Sequence, residues 1–299
     1  MAIARAISMV ENDAAGAADV LKILFQWTGR SYRIGVTGPP GAGKSTITSK
    51  LAQFYRTQGQ TVGIIAVDPT SPFTGGALLG DRVRMTDVEM DSGVFIRSMA
   101  SRGSLGGLSR KAVEAADVLD AAGKDIIILE TVGVGQSELD IAGAADTTIV
   151  VLVPESGDSI QAMKAGLMEI ADFFVLNKAD RAGADQAVMA IQMILNFRQA
   201  GGWNADVLKS VASDGKGIPE IAAKVAEHRA YLERTGILMQ KRKMRLERRV
   251  RELVAERLHV DFWSDARASM LARRLDALAS KESTPWDVAT ELVENYRAV

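Results

Sequence analysis

Eight residues, Gly38-Pro39-Pro40-Gly41-Ala42-Gly43-Lys44-Ser45, constrain this chain more than any other stretch. They fit G-x-x-x-x-G-K-[ST], a loop that cradles the phosphates of a nucleotide. The flanks fit as well. Tyr32–Thr37 (YRIGVT) reads as a short buried strand and Ser45–Gln58 as a helix, so the loop feeds a helix N-terminus. Free backbone N–H groups and the positive end of the helix dipole favour an anion there. Gly38, Gly41 and Gly43 let the backbone curl around a β-phosphate, with Pro39 and Ala42 completing the loop. Lys44 would reach the β- and γ-phosphates, and the Ser45 hydroxyl would ligate Mg²⁺.

A strand–loop–helix unit of this kind belongs in a larger sheet, and the rest of the chain supplies one. Apolar runs alternate with helical patterns at Tyr32–Thr37, Thr61–Val67, Val94–Arg97, Asp125–Glu130, Thr147–Val153, Asp172–Asn177 and Asp206–Val211. Runs such as IIIL and TTIVVLV are apolar throughout, which suits strands covered on both faces. The expected fold is α/β, a P-loop NTPase with a doubly wound, mostly parallel sheet flanked by helices. Ligands bind such sheets at the carboxyl ends of the strands, where the motifs fall. Residues 1–30 read as a helical segment with a break. After Gly217 only helical patterns remain: Ile218–Arg234, Leu238–Leu258, Ser264–Ala279 and Pro285–Ala298. The expected organisation is therefore 1–30 N-terminal helical segment, 31–217 nucleotide-binding domain and 218–299 helical C-terminal region.

Asn177-Lys178-Ala179-Asp180 decides which base is read. It follows the apolar run Phe173–Leu176. The Asp180 carboxylate can accept from the two ring-edge N–H donors of guanine. Adenine offers no such pair, so a carboxylate left unpaired would penalise ATP. The Lys178 stem would lie over the base. The ligand is thus expected to be GTP or GDP.

Further acids fall at strand ends. Glu130 closes DIIILE and opens Glu130-Thr131-Val132-Gly133, a place for an outer-sphere contact to Mg²⁺; the Gly133 N–H could bond a γ-phosphate oxygen. Val134 stands where Ras-like proteins carry the Gln that orients water. Gln136 lies two positions further on. Slow intrinsic hydrolysis raised by a partner is expected. Asp68, in Asp68-Pro69-Thr70-Ser71-Pro72, and Asp81, beyond the Gly75-Gly76 turn, could approach the metal or the attacking water. Loops with Pro at fixed turns and Gly at hinges suit segments that sense a γ-phosphate.

Composition excludes other classes. There is no cysteine, and His228 and His259 are the only histidines. That removes disulfides, thiolate catalysis and cysteine-based zinc or iron–sulfur sites; both histidines read as surface or packing residues. A net charge of −1 gives no global case for nucleic acid or a membrane surface. No apolar run approaches the roughly 18–20 residues of a membrane span. The N-terminus lacks the order of a signal peptide, so a cytoplasmic location is expected. Lys241–Arg251 (KRKMRLERRVR) carries seven basic residues and one acidic residue beside an apolar stripe of Met244, Val250, Leu253, Val254 and Leu258. It reads as a solvated helix with a packed back, as a dimerisation or docking arm, or, less well because no aromatics interleave, as a nucleic-acid contact.

Together these motifs resemble the methylmalonyl-CoA mutase-associated GTPases of the MeaB and MMAA type, which include ArgK-like P-loop GTPases. The matching blocks are GPPGAGKST, VDPTSPFTGGALLGDRVRM, SRGSLGGLS, ETVGVGQSE, PESGDSIQAMKAGLMEIAD and NKAD, between about residues 34 and 181. The resemblance implies a GTP-hydrolysing chaperone that gates cofactor loading and protects an adenosylcobalamin-dependent acyl-CoA mutase. It implies that Lys44, Ser45 and Thr46 serve phosphates and metal and that Asp68, Asp81 and Glu130 surround Mg²⁺. Asn177, Lys178 and Asp180 would read guanine, with Ser213 as a further contact to the base. It also implies a third switch at Pro154–Lys164, working through Asp158, Gln161 and Lys164, and a homodimer formed through helical C-terminal arms. Two other readings stand beside it: a kinase that phosphorylates a transport protein, and a nickel- or zinc-delivering GTPase. The second needs soft or imidazole ligands, and zero cysteines with two histidines distant from the motifs argue against it.

Overall fold

The computed structural model describes residues 2–69, 85, 88, 90–101, 110–131, 137–156, 166–196 and 202–297. Seven strands form one parallel sheet: β1 (Tyr32–Thr37), β2 (Val62–Pro69), β3 (Val94–Ser101), β4 (Ile126–Thr131), β5 (Thr147–Leu152), β6 (Phe173–Leu176) and β7 (Val207–Lys209). Their order is β3-β2-β4-β1-β5-β6-β7. Each apolar run expected to be a strand is one. The order puts β1 at the centre, with β4 and β5 on either side, so the loop leaving β1 emerges where the chain reverses its direction of winding.

Alternation within the strands decides which helices pack on which face. On β4, Ile126 and Ile128 join one core and Ile127 and Leu129 another. The first core takes Ile47 and Leu51 from α3 (Lys44–Thr57). The second takes Ile7 and Val10 from α1 (Ala2–Glu11), and Ala112, Ala115 and Leu119 from α4 (Arg110–Ala121). The N-terminal segment is thus two helices, α1 and α2 (Ala17–Phe25), packed against α4 on that face of the sheet. At the other edge Phe174 and Leu176 of β6 pack with Ala184, Ala187 and Ile191 of the helix Ala184–Asn196.

Two compact units divide between Lys241 and Arg242, not after Gly217. The reason is the helix Ile218–Arg234. Its face of Ile218, Ile221, Ala222 and Val225 is buried in the first core beside Tyr55 and Ile149, so it belongs to the sheet unit. Lys241 belongs there too: its ammonium donates to the Asp146 carbonyl (3.0 Å) and lies 3.5 Å from the Asp172 carboxylate.

A buried polar chain closes the amino edge of the sheet. The Tyr32 hydroxyl is 2.6 Å from Thr147 Oγ1, which is 2.8 Å from His228 Nδ1; His228 Nε2 faces Asp172 Oδ1 at 3.4 Å. A neutral ring that turns its Nε2 proton towards the Asp172 carboxylate accepts from the Thr147 hydroxyl at Nδ1. Burial, opposed by the Asp172 charge, holds His228 below the ordinary imidazole range, and burial pushes the Tyr32 phenol well above its own.

The second unit, Arg242–Val299, is helical. It contains most of the helix Ile237–Phe262, then Asp265–Ala279 and Pro285–Arg297. The Ser264 side chain caps the second helix. Thr284 and Asp287 form a reciprocal cap on the third: Thr284 N donates to Asp287 Oδ2 and Asp287 N to Thr284 Oγ1, both at 3.2 Å. Arg274 pairs with Glu291 at 2.6 Å, the Phe262 and Tyr296 rings lie 5.4 Å apart at a tilt of 59°, and Val288 and Leu292 are buried. No residue of Ile237–Phe262 is fully buried.

Candidate functional site

The loop after β1 is shaped by positions where a side chain would not fit. Gly38 has φ 134°, and a Cβ there would lie 2.1 Å from the Val151 carbonyl oxygen of β5. Gly43 has φ 90°, and a Cβ would lie 2.3 Å from Asn177 Nδ2. Both values fall in the region that L side chains rarely adopt. The loop therefore passes against β5 and against the loop after β6, and α3 starts at Lys44 with its first amides turned towards the loop.

Lys44 is buried, and its ammonium donates to the carbonyls of Gly38 (2.7 Å) and Pro39 (2.9 Å). The cation is held inside the cradle where phosphate charge would sit. Ser45 Oγ donates to Glu130 Oε1 at 2.6 Å, so the loop hydroxyl and the carboxylate at the end of β4 converge on one point. Two hard oxygen donors beside a phosphate cradle fit Mg²⁺, which prefers oxygen and keeps several waters. Thr37 and Thr131, at the ends of β1 and β4, share a buried hydroxyl hydrogen bond of 2.9 Å that fixes the two strand ends. Sequence reasoning passed over this pair because a lone threonine at a strand end carries no motif.

On the base side, Asn177 is buried and largely committed to the protein. Its Nδ2 donates to the Ala42 carbonyl (2.8 Å), while its Oδ1 accepts from Ser210 Oγ and from the Ala212 amide (3.1 Å each). Both acceptor lone pairs and one of two donors are used, which leaves one N–H for a ligand. Asn177 is thus a clip joining three loops, those after β1, β6 and β7. Lys178 sits at φ 55° and sends its ammonium to the Gly41 carbonyl (2.9 Å), so its stem crosses from the base loop to the phosphate loop. Asp180 is exposed. Ser210, not singled out in the sequence, is the serine bonded to Asn177; Ser213 is exposed and bonds Asp214. Thr46 is exposed in the first turn of α3.

One more contact borders the base loop. Arg181 Nη1 donates to Glu155 Oε1 at 2.7 Å. Glu155 lies in the 3₁₀ turn Pro154–Ser156 after β5. The hydrogen bond from Arg181 holds Glu155 below the ordinary carboxylate range, and Arg181 is raised in return. The side chain of Asp68 and residues Asp81, Gly133, Gln136, Asp158, Gln161 and Lys164 lie outside the described residues.

Residues 3–267 match the family described as methylmalonyl Co-A mutase-associated GTPase MeaB. The chain is 36% identical to GTPase ArgK of Escherichia coli over 294 residues, covering 93% of this chain and 89% of that one. It is 52% identical to a Pyrococcus abyssi protein described as a GTPase, over 85% of this chain and 80% of that one. It is 34% identical to the mouse mitochondrial methylmalonic aciduria type A homolog, over 80% of this chain and 62% of that one. Among solved structures, a LAO/AO transport system kinase superposes with a TM-score of 0.74 at 28% identity, covering 99% of this chain and 92% of that one.

Proposed function

The chain belongs to the methylmalonyl Co-A mutase-associated GTPase family, and we propose that it hydrolyses GTP to license cofactor loading of an adenosylcobalamin-dependent acyl-CoA mutase. The observation that carries the nucleotide half of this reading is the convergence of Lys44, Ser45 and Glu130 on one side of the loop and Asn177 and Lys178 on the other. The mutase half rests on the family.

In the proposed cycle the loop amides and the N-terminus of α3 hold the β-phosphate. Lys44 exchanges the carbonyls of Gly38 and Pro39 for β- and γ-phosphate oxygens, where its charge offsets that of the leaving group. Ser45 and Glu130 would hold Mg²⁺, which supplies further neutralisation of phosphate charge when bound. Asp180 accepts from the guanine edge, and Asn177 keeps the phosphate and base loops in register. Asp68 and Asp81 are the proposed acids near the attacking water, with Gly133 as a γ-phosphate contact. Asp158, Gln161 and Lys164 form the proposed partner-responsive segment, and Ser213 a minor base contact. Val134 supplies no side chain to orient water, which makes hydrolysis slow until the partner engages.

The proposed assembly is a cytoplasmic homodimer. Support comes from the second unit, where Leu246, Val250, Val254 and Leu258 form an exposed stripe on one helix. The first half of that helix is strongly basic, whereas the second half sets Glu252, Glu256 and Asp261 against Arg251 and Arg257. Two antiparallel copies would share the apolar seam and place the basic half of each beside the acids of the other. Among the described residues no helix is long and apolar enough to cross a membrane.

The test is steady-state phosphate release from GTP with Mg²⁺, alone and with each acyl-CoA mutase of the source organism. The expected outcome is a low basal rate raised many-fold by one mutase. A rate indifferent to all of them overturns the mutase role. Radiolabel from γ-labelled GTP appearing on a protein instead of as free phosphate would favour a kinase.

A further inference from the structure

Arg181 directly follows Asp180, the proposed base reader, and is an exposed cation in the loop after β6. Its guanidinium lies within electrostatic reach of two carboxylates: the Glu155 hydrogen bond and charge act on it most strongly, and the Asp180 charge acts on it as well. It bonds Glu155 at 2.7 Å. Glu155 comes from the neighbouring strand's loop, since β5 and β6 are adjacent in the sheet and both loops open at its carboxyl edge. A local turn, with Arg181 N donating to the Lys178 carbonyl at 3.1 Å, fixes where the guanidinium begins.

The chemistry of the base site makes this arrangement consequential. A carboxylate reads guanine by offering two acceptor oxygens to two N–H donors. A guanidinium is the best competitor for such a carboxylate, because its planar fork presents the same paired donors in the same geometry. Without Glu155, the Asp180 carboxylate one residue away would be a partner for Arg181, and Asp180 would meet the base already paired. We propose that Glu155 is a specificity-determining positioning residue: it engages Arg181 and so keeps the Asp180 carboxylate open for guanine. Glu155 itself does not touch the base in this scheme. It acts through Arg181, and it places the guanine selectivity of the loop after β6 under the control of the loop after β5. The inference rests on the guanine-nucleotide reading of the site and adds to it a residue outside the N-K-x-D motif.

The distinguishing signature is the sign of the interaction between the two substitutions. Glu155→Gln frees Arg181 to occupy Asp180. It is expected to weaken GDP binding about fivefold, the upper range for an exposed ion pair, and to narrow the preference for GDP over IDP, which lacks the exocyclic donor. Arg181→Gln removes the competitor together with the pair and is expected to weaken GDP less. The double variant Glu155→Gln/Arg181→Gln is expected to recover most of the affinity and the GDP-over-IDP preference lost in Glu155→Gln. Both side chains are exposed, so the variants should fold; melting curves without nucleotide check this. The measurement is fluorescence titration of the full-length chain with labelled GDP, followed by competition with unlabelled GDP, IDP and ADP. If Glu155→Gln leaves the GDP-over-IDP ratio unchanged, or if the double variant is as weak as Glu155→Gln, the proposal is overturned, because a pair that merely braces two loops gives no such rescue. If the parent protein itself fails to prefer GDP over IDP and ADP, the guanine reading falls first and the inference with it.

Discussion

The sheet unit and the helical unit use the same few residue types to opposite ends. At the centre of the sheet Ile and Val are buried: Ile34, Ile64, Ile127, Ile149 and Val151 are all fully enclosed. In Ile237–Phe262 the same residue types stand in solvent, with Val250, Val254, Leu258 and Val260 each at least half exposed. Hydrophobicity alone therefore does not say what a residue is for. Runs apolar throughout can be satisfied only by cover on two sides, and the sheet supplies it. A stripe on a charged helix can be satisfied by one further surface, and the chain as a monomer leaves it open.

This contrast can be broken by substitution. The largest expected effect is in the sheet unit. Phe174→Ala removes a fully buried ring between β5 and β7 and should cost about 3–5 kcal/mol in denaturant unfolding. Next comes Lys44→Ala, which should lower GTP turnover by at least about 100-fold in a phosphate-release assay, in line with loss of one charge-stabilising donor. Its cost to folding should be smaller, about 1–3 kcal/mol, because it takes this donor from the buried Gly38 carbonyl without emptying the apolar core.

A pH titration sharpens the comparison further, because His228 is buried in the sheet unit and His259 is exposed in the helical unit. Folding holds His228 below its ordinary value, so the unfolded chain takes up its proton first. The stabilising contribution of the neutral ring is whole above the unfolded imidazole pKa of about 6.5 and declines as pH falls from there towards the lowered folded value. Melting temperature should therefore drop over that window. The drop should shrink in His228→Gln and persist in His259→Gln; equal behaviour of the two variants would refute the assignment.

Smaller still is the cap of the last helix. Thr284→Ala deletes the side-chain half of the reciprocal cap and should cost about 1 kcal/mol, visible as faster amide exchange in Pro285–Arg297. The smallest effect on the monomer is expected from Val254→Ala, within about 0.5 kcal/mol. Paired charges at Val250→Asp and Val254→Asp should instead shift sedimentation from dimer to monomer with basal GTP turnover retained. A dimer that survives them would remove the arm from the proposed interface.

Much of this molecule was legible before any coordinates. The glycine–lysine loop, the Asn177–Asp180 loop and the seven strands are local features: each is written in fewer than about ten consecutive residues, and their physical requirements, a φ above zero or an unbroken apolar run, act on those residues alone. Helix ends such as Thr284-Pro285 were legible for the same reason. What tertiary structure decided is long-range. Nothing in the spacing places β4 between β2 and β1, assigns the helix Ile218–Arg234 to the first core, or moves the boundary of the sheet unit to Lys241. Asn177 reads as a base contact in sequence; all of its amide but one N–H is engaged with Ala42, Ser210 and Ala212, which lie 135, 33 and 35 positions away. Glu155 and Arg181 meet only because β5 and β6 are neighbours in one sheet. A side chain's partners depend on which faces are buried together, and that follows from the packing of the whole core, whereas the loop that holds the nucleotide is fixed by the backbone needs of eight residues.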